Sequence, residues 1–201
     1  MSKEKKIAVF CGSSRGRNEI YTQAAMQVAA FFVNNGITLV NGGGSIGLMG
    51  IMADYISKHG GKSIGVIPLH LKDLEVAHKE MDEMIVTYDM AARMKVIMEI
   101  SDAFITLPGG FGTLDELFEV LTLSQLNVHN KPVGILNVNG FFDPLLQMLE
   151  LMHNEGFVSD FSMDLLLVDD NIEGLYRKML DFKKDDFSVH KIIDNKTEKI
   201  S

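Results

Sequence analysis

A chain of 201 residues, 46% hydrophobic and 23% charged, is long enough to bury one sizeable core. Its formal net charge of −8, with no basic stripe, argues against a nucleic-acid duplex as partner, although local backbone dipoles can still hold a nucleotide. The single cysteine, Cys11, excludes an intrachain disulfide; no apolar run reaches bilayer length, and the first residues lack the apolar stretch of a signal peptide, so a cytoplasmic protein that spans no membrane is expected.

Residues 6–11 form a β-rich apolar run that ends in the polar turn Gly12-Ser13-Ser14-Arg15-Gly16. From 19 to 35 apolar residues recur at helical spacing (Tyr21, Ala25, Val28, Ala29, Phe32), and Gly36 closes the segment as a C-cap. A second strand is expected over 37–40, ending in Asn41-Gly42-Gly43-Gly44, and a second helix over 47–59. A third strand covers 63–67 and stops at Pro68. The segment 70–83 carries no clear pattern. A strand over 84–87, a helix over 90–101 and a strand over 103–107 follow, and then a helix from 113 to about 126. The last elements are a strand over 132–137, a helix over 141–154, a strand over 165–168 and a helix over 172–182. Strands alternating with helices, each strand a nearly continuous apolar run, predict a doubly wound α/β/α fold around a parallel sheet. One domain is expected over 1–182, with a polar, frayed tail over 183–201.

Ligands of such folds bind beyond the carboxyl ends of the strands. Three permissive turns lie at those ends: 12–14, 42–44 and 109–112. The last belongs to Pro108-Gly109-Gly110-Phe111-Gly112-Thr113-Leu114-Asp115-Glu116, a strand running into a glycine turn and then into a helix with two acids. Glycines let the main chain approach an anion, and the first helical N–H groups point at it.

Several local matches lead elsewhere and fail on context. Gly42-x-Gly44-x-x-Gly47 has the dinucleotide spacing, but the next strand ends Val66-Ile67-Pro68-Leu69, without the acid that would hold a ribose. Gly60-Gly61-Lys62-Ser63 mimics a P-loop end, yet Ile56 stands where that loop needs glycine and the segment runs from helix into strand. The six histidines show no metal-ligand spacing, so no metal is expected. The 13 methionines are mostly core fillers, although Met49, Met90 and Met94 lie near the glycine turns, where they suit a flat base.

Taken together, the motifs form an ordered set: Cys11-Gly-Ser-Ser, Gly42-Gly-Gly-x-x-Gly-Leu-Met-Gly50, Met90-x-x-Arg93, Pro108-Gly-Gly-x-Gly-Thr-x-x-Glu116 and Gln125-Leu126-x-x-His129-x-Lys131-Pro132. In this the chain resembles the LOG ("lonely guy") family of cytokinin riboside 5′-monophosphate phosphoribohydrolases, many of which carry the label "lysine decarboxylase". The resemblance runs from about residue 6 to 182. It implies a Rossmann-like homodimer without a cofactor that cleaves the N-glycosidic bond of a purine nucleoside 5′-monophosphate, releasing base and ribose 5-phosphate. It implies Arg93 and Glu116 as catalytic positions. The implied binding stretch is Gly110 to Glu116, extended by Gly109, and Glu75 and Thr122 are further carry-overs; Ser13, Gly43, Gly44 and Met94 join the expected substrate-binding set from their place at the turns.

One departure stands out. The family reads Met-His-x-Arg-Lys where this chain reads Met90-Ala91-Ala92-Arg93-Met94. Lys95 is displaced by one residue, which on a helix turns the side chain by about 100 degrees.

The residue types suit the chemistry. Leaving of the base builds positive charge on the ribose ring, and a carboxylate beside C1′ stabilises it and takes a proton from water. Glu116, expected at about the fourth helical position, is close to Gly109, Gly110, Gly112 and Thr113, which would hold the 5′-phosphate by main-chain N–H groups and one hydroxyl. Two other activities are weighed. Molybdenum-cofactor carriers of similar fold share a Pro-Gly-Gly-x-Gly-Thr turn and break no bond. A PLP decarboxylase needs a Schiff-base lysine at a phosphate site, and no glycine turn here has one. Apolar residues cover most of the 113–126 helix, which predicts burial in a core or a subunit interface.

Overall fold

The computed structural model describes residues 4–72 and 77–183. Seven parallel strands form one sheet in the order β4-β3-β2-β1-β5-β6-β7. In chain order the elements are β1 (Lys6–Phe10), α1 (Glu19–Asn35), β2 (Thr38–Asn41), α2 (Gly47–Lys58), β3 (Ser63–Pro68), α3 (Leu69–Lys72), β4 (Glu83–Thr87), α4 (Met90–Ile100), β5 (Ala103–Thr106), α5 (Phe111–Gln125), β6 (Val133–Leu136), a 3-10 turn (Val138–Gly140), α6 (Asp143–Asn154), α7 (Asp160–Met163), β7 (Leu166–Asp169) and α8 (Ile172–Asp181). The expected α/β/α architecture is the observed one. Expected bounds mostly lie within a residue or two of these. The exceptions are the short helices α3 and α7, which lack a run long enough to show periodicity.

Side-chain alternation along β1 divides the core. Ile7 and Val9 pack on one face with α1, α2 and α8, through Phe32, Met52 and Leu175. Ala8 and Phe10 pack on the other with α4 and α5, through Ile97, Leu117 and Val120. The inner strands β1, β2, β3, β5 and β6 are almost wholly buried, whereas β4 and β7 at the edges are half-exposed.

The chain winds outward from β1 to β4, then returns to lay β5 on the other side of β1. Strand order therefore reverses between β1 and β5, and a crevice opens above their carboxyl ends. The turns leaving these strands are tied together: Gly12 N–H donates to Pro108 O at 3.1 Å, and Leu48 N–H donates to Gly12 O at 3.0 Å. Gly47, at φ 65°, lets the start of α2 press on this turn, because a Cβ there would collide with the Ser13 main chain. Among the described residues no helix is long and apolar enough to cross a membrane.

Candidate active site

The N-terminus of α5 opens into the crevice. Helix formation leaves its first N–H groups without intrahelical partners. The N-cap is Gly110, which has no side chain to cap them. A Cβ added at Gly110 or Gly112 would meet nothing within 4 Å, so open space lies beside both residues. The helix starts at Phe111, two residues earlier than the sequence suggests, which makes Glu116 its sixth residue and not about its fourth. A glycine-rich start with no capping side chain hides a helix from sequence patterns, which rely on Ser, Thr, Asp or Asn at that position.

Arg93 arrives from α4. Asp89 caps that helix by accepting from Ala92 N at 2.7 Å, which sets Arg93 in the first turns. Arg93 Nη2 donates to Glu116 Oε1 at 2.8 Å, and both side chains are nearly buried, at 12% and 13% exposure. Arg93 Nε is also buried and has no hydrogen-bond partner among the described residues. Burial pushes the Glu116 carboxyl up to about 7; the Arg93 charge works against this, and Asp115 and Glu119 add to it. Glu119 is raised by its own burial and then by Asp115.

One cavity brings together Ser13, Gly42, Arg93, Gly110, Gly112, Thr113 and Glu116. Cys11 also lines it, but burial drives its thiol far up, with the Glu116 charge adding to the effect, so it is no nucleophile. Phe111 stands 95% exposed at the mouth. Gly109 sits against the buried Thr113 side chain and Gly12 N, where any Cβ would collide. Behind the Arg93–Glu116 pair a second cavity is lined by Met90, Met94, Asp115 and Glu119.

The other expected residues fall elsewhere. Gly43 and Gly44 are buried in packing. Gly43 N–H is taken by Asn41 Oδ1 at 2.8 Å, its carbonyl accepts from His78 N at 2.9 Å, and Gly44 bridges to Ala77. Gly42, which no local signal sets apart from its two neighbours, is the member of that triplet that lines the cavity. Thr122 lies on the exposed side of α5, opposite its buried row. Glu75 lies outside the described residues, as do residues 184–201 of the tail. No group of three potential metal ligands occurs among the described residues.

With this geometry in view, comparison with known proteins places the chain. A family model described as "Possible lysine decarboxylase" matches residues 49–179. The cytokinin riboside 5′-monophosphate phosphoribohydrolase LOG2 of Arabidopsis thaliana is 41% identical over 199 residues, 98% of this chain and 93% of that protein. The chain belongs to the LOG family. The rice enzyme LOG (Oryza sativa subsp. japonica), of the same description, is 43% identical over 166 residues, covering 83% of this chain and 69% of that protein. Among solved structures, a molybdenum cofactor binding protein from Rippkaea orientalis superposes with a TM-score of 0.67 over 90% of this chain and 98% of that one. Its identity is 22%, a likeness of fold alone. Within the LOG family pattern, the lysine position carries Met94, which is buried, while Lys95 is exposed and points to Glu99 at 4.0 Å.

Proposed function

We propose that the protein hydrolyses the N-glycosidic bond of purine nucleoside 5′-monophosphates, AMP or its N6-prenylated relatives, giving the free base and ribose 5-phosphate. The observation that carries the reading is the nearly buried Arg93–Glu116 pair in one cavity with Gly110 and Gly112 at the start of α5. The 5′-phosphate lies on the N-terminus of α5, held by main-chain N–H groups and the helix dipole. This anchor places C1′ against Glu116. The C1′–N9 bond breaks with its electron pair going to the base. A water oxygen bonds to C1′, and its proton passes to the Glu116 carboxylate and then to the base. The carboxylate also stabilises the cationic sugar in the transition state. Arg93 holds the carboxylate in place and offsets negative charge in a poorly solvated site. Met90 and Met94 offer a soft wall for the purine.

The working unit is a homodimer, with the outward stripe of α5 at its contact. The test is to incubate the protein with AMP and to follow adenine and ribose 5-phosphate by chromatography. Wild type releases both in equal amounts, and Glu116→Ala releases neither while still binding AMP. Intact AMP in the presence of wild type defeats the reading.

A further inference from the structure

The crevice has two compartments that share Ser13 and Gly110. The inner one contains Arg93 and Glu116. The outer one lies on the far side of the glycine turn, walled by Leu48, Pro108 and the edge-to-face pair Tyr21–Phe141, whose centroids are 5.6 Å apart. Gly110, the N-cap of α5, lines both compartments, so a phosphate held at the start of that helix would lie at the border between the two.

That phosphate carries between one and two negative charges at neutral pH, with a second pKa near ~6. Its surroundings are hostile to it: Asp115, Glu116 and Glu119 share the helix, and the whole chain carries −8. A cation is needed, and the usual candidates are committed. Arg93 is engaged with Glu116 at 2.8 Å. The family's lysine position is Met94, and Lys95 faces solvent. Among the residues lining the two compartments, one other cation occurs, Arg15. It is exposed and forms no ion pair among the described residues.

The turn that carries Arg15 is held at both ends. Gly12 is bonded to Pro108 and Leu48, and Gly16 N–H donates to Ser14 Oγ at 3.3 Å. Gly16 adopts φ 74° with its Cα against Tyr21, so close that a Cβ there would lie 2.9 Å from the ring. The main chain is fixed while the long side chain remains free to fold over an anion.

We propose that Arg15 is the counter-ion of the substrate's 5′-phosphate, reaching it from the outer compartment and supplying the positive charge that Met94 does not. The assignment rests on the function proposed above and names a binding residue within it. A guanidinium suits the role because its fork of N–H donors matches phosphate oxygens. The phosphate is unchanged as the glycosidic bond breaks, so the contact is equal in ground and transition states and belongs to KM, not kcat.

Calorimetric titration of the full chain tests this, with ribose 5-phosphate directly and with AMP in the Glu116→Ala background, which binds AMP without cleaving it. Charge-assisted hydrogen bonds of this type correspond to affinity changes of about ten- to hundredfold. Arg15→Ala is expected to weaken both ligands by that factor, to leave kcat for AMP within about twofold, and to keep the thermal midpoint of wild type. Arg15→Lys recovers part of the loss, and Lys95→Ala changes nothing. An unchanged AMP affinity in Arg15→Ala overturns the proposal, as does a loss confined to AMP, which would put Arg15 at the base. Titration needs no turnover. If wild type binds both ligands through Arg15 yet leaves AMP intact, the hydrolase reading fails and the phosphate assignment stands.

Discussion

The guanidinium of Arg93 rests directly on Gly42: a Cβ at residue 42 would collide with Nη2 and would sit 3.3 Å from Cζ. Gly42 is thus the seat of the group that holds Glu116. Gly42→Ala fits the backbone, because φ at this residue is not positive. The collision is relieved by the flexible end of Arg93, with Met49 Sδ, 3.1 Å from the same point, giving slightly, and not by the fold. The expected outcome is a fall in kcat of about tenfold or more, since small misplacements of a catalytic group are costly. Stability to urea should change by less than about 1 kcal/mol, as for a substitution absorbed by the flexible ends of two side chains. Unaltered kcat would show that the guanidinium needs no such seat.

The Glu116 carboxyl, raised to about 7 by burial, sets the pH dependence. The proposed chemistry uses the carboxylate. kcat/KM for AMP should therefore climb with pH through about 7 and flatten above it. The sign for stability is opposite. A carboxyl that is harder to ionise in the folded state than in the unfolded chain favours folding while protonated in both. That advantage is lost as pH rises from 4.5 to about 7. At about 1.4 kcal/mol per pH unit the loss is roughly 3 kcal/mol. Glu116→Gln should abolish this slope in urea titrations run across the window. A slope that survives would place its origin in other groups.

Much of this site was legible in the sequence, and the reasons are local. A strand, a glycine turn and a helix leave a strong trace, so the 108–116 segment stands out locally, whereas Arg93 is marked only by the family resemblance; their meeting at 2.8 Å is visible in the structure alone. Sequence could not say which glycine of the 42–44 triplet faces the crevice. Gly42 touches Arg93, Gly43 packs on Met84 and Gly65, and Gly44 bridges to Ala77; these are contacts across the sheet with no local signature. The apolar α5 helix was also ambiguous. Thr113, Leu117, Val120 and Ser124 are its buried row, so two of its four most buried positions carry polar side chains, and several leucines lie at the margins.

His78, one of the six histidines that lack metal-ligand spacing, is buried, and its burial gives it a structural role. Its Nε2 lies 3.0 Å from Asp54 Oδ1 on α2, and its Nδ1 accepts from Glu80 N–H at 3.3 Å. Its own N–H donates to Gly43 O. The ring therefore ties the approach to β4 onto α2, while the main chain of His78 holds the glycine triplet. His78→Ala leaves the Glu80 N–H without this acceptor and opens a void, at an expected cost of about 2 kcal/mol. Chemical denaturation reads the change directly, and a loss below about 0.5 kcal/mol, the scale of ordinary surface substitutions, would contradict the assigned role.

The outward stripe of α5 argues for a second copy of the chain. Phe111, Phe118, Thr122 and Leu126 follow one another at helical spacing, opposite the buried row, and Val128 extends the line. Phe111, Leu126 and Val128 are 95%, 51% and 65% exposed, a concentration of apolar surface beside a ligand site that a lone chain leaves in water. A stable dimer needs about 800 Å² buried per partner, which a helix face and its flanks can provide. Light scattering at micromolar concentration should return twice the 22.3 kDa chain mass. Phe118→Glu sets a charge at the centre of the stripe on each copy. It should give the single-chain mass with helix content intact, because Phe118 is only half-buried within its own chain. Wild type at the single-chain mass would rule the dimer out. A Phe118→Glu variant that stays dimeric would move the contact to another face.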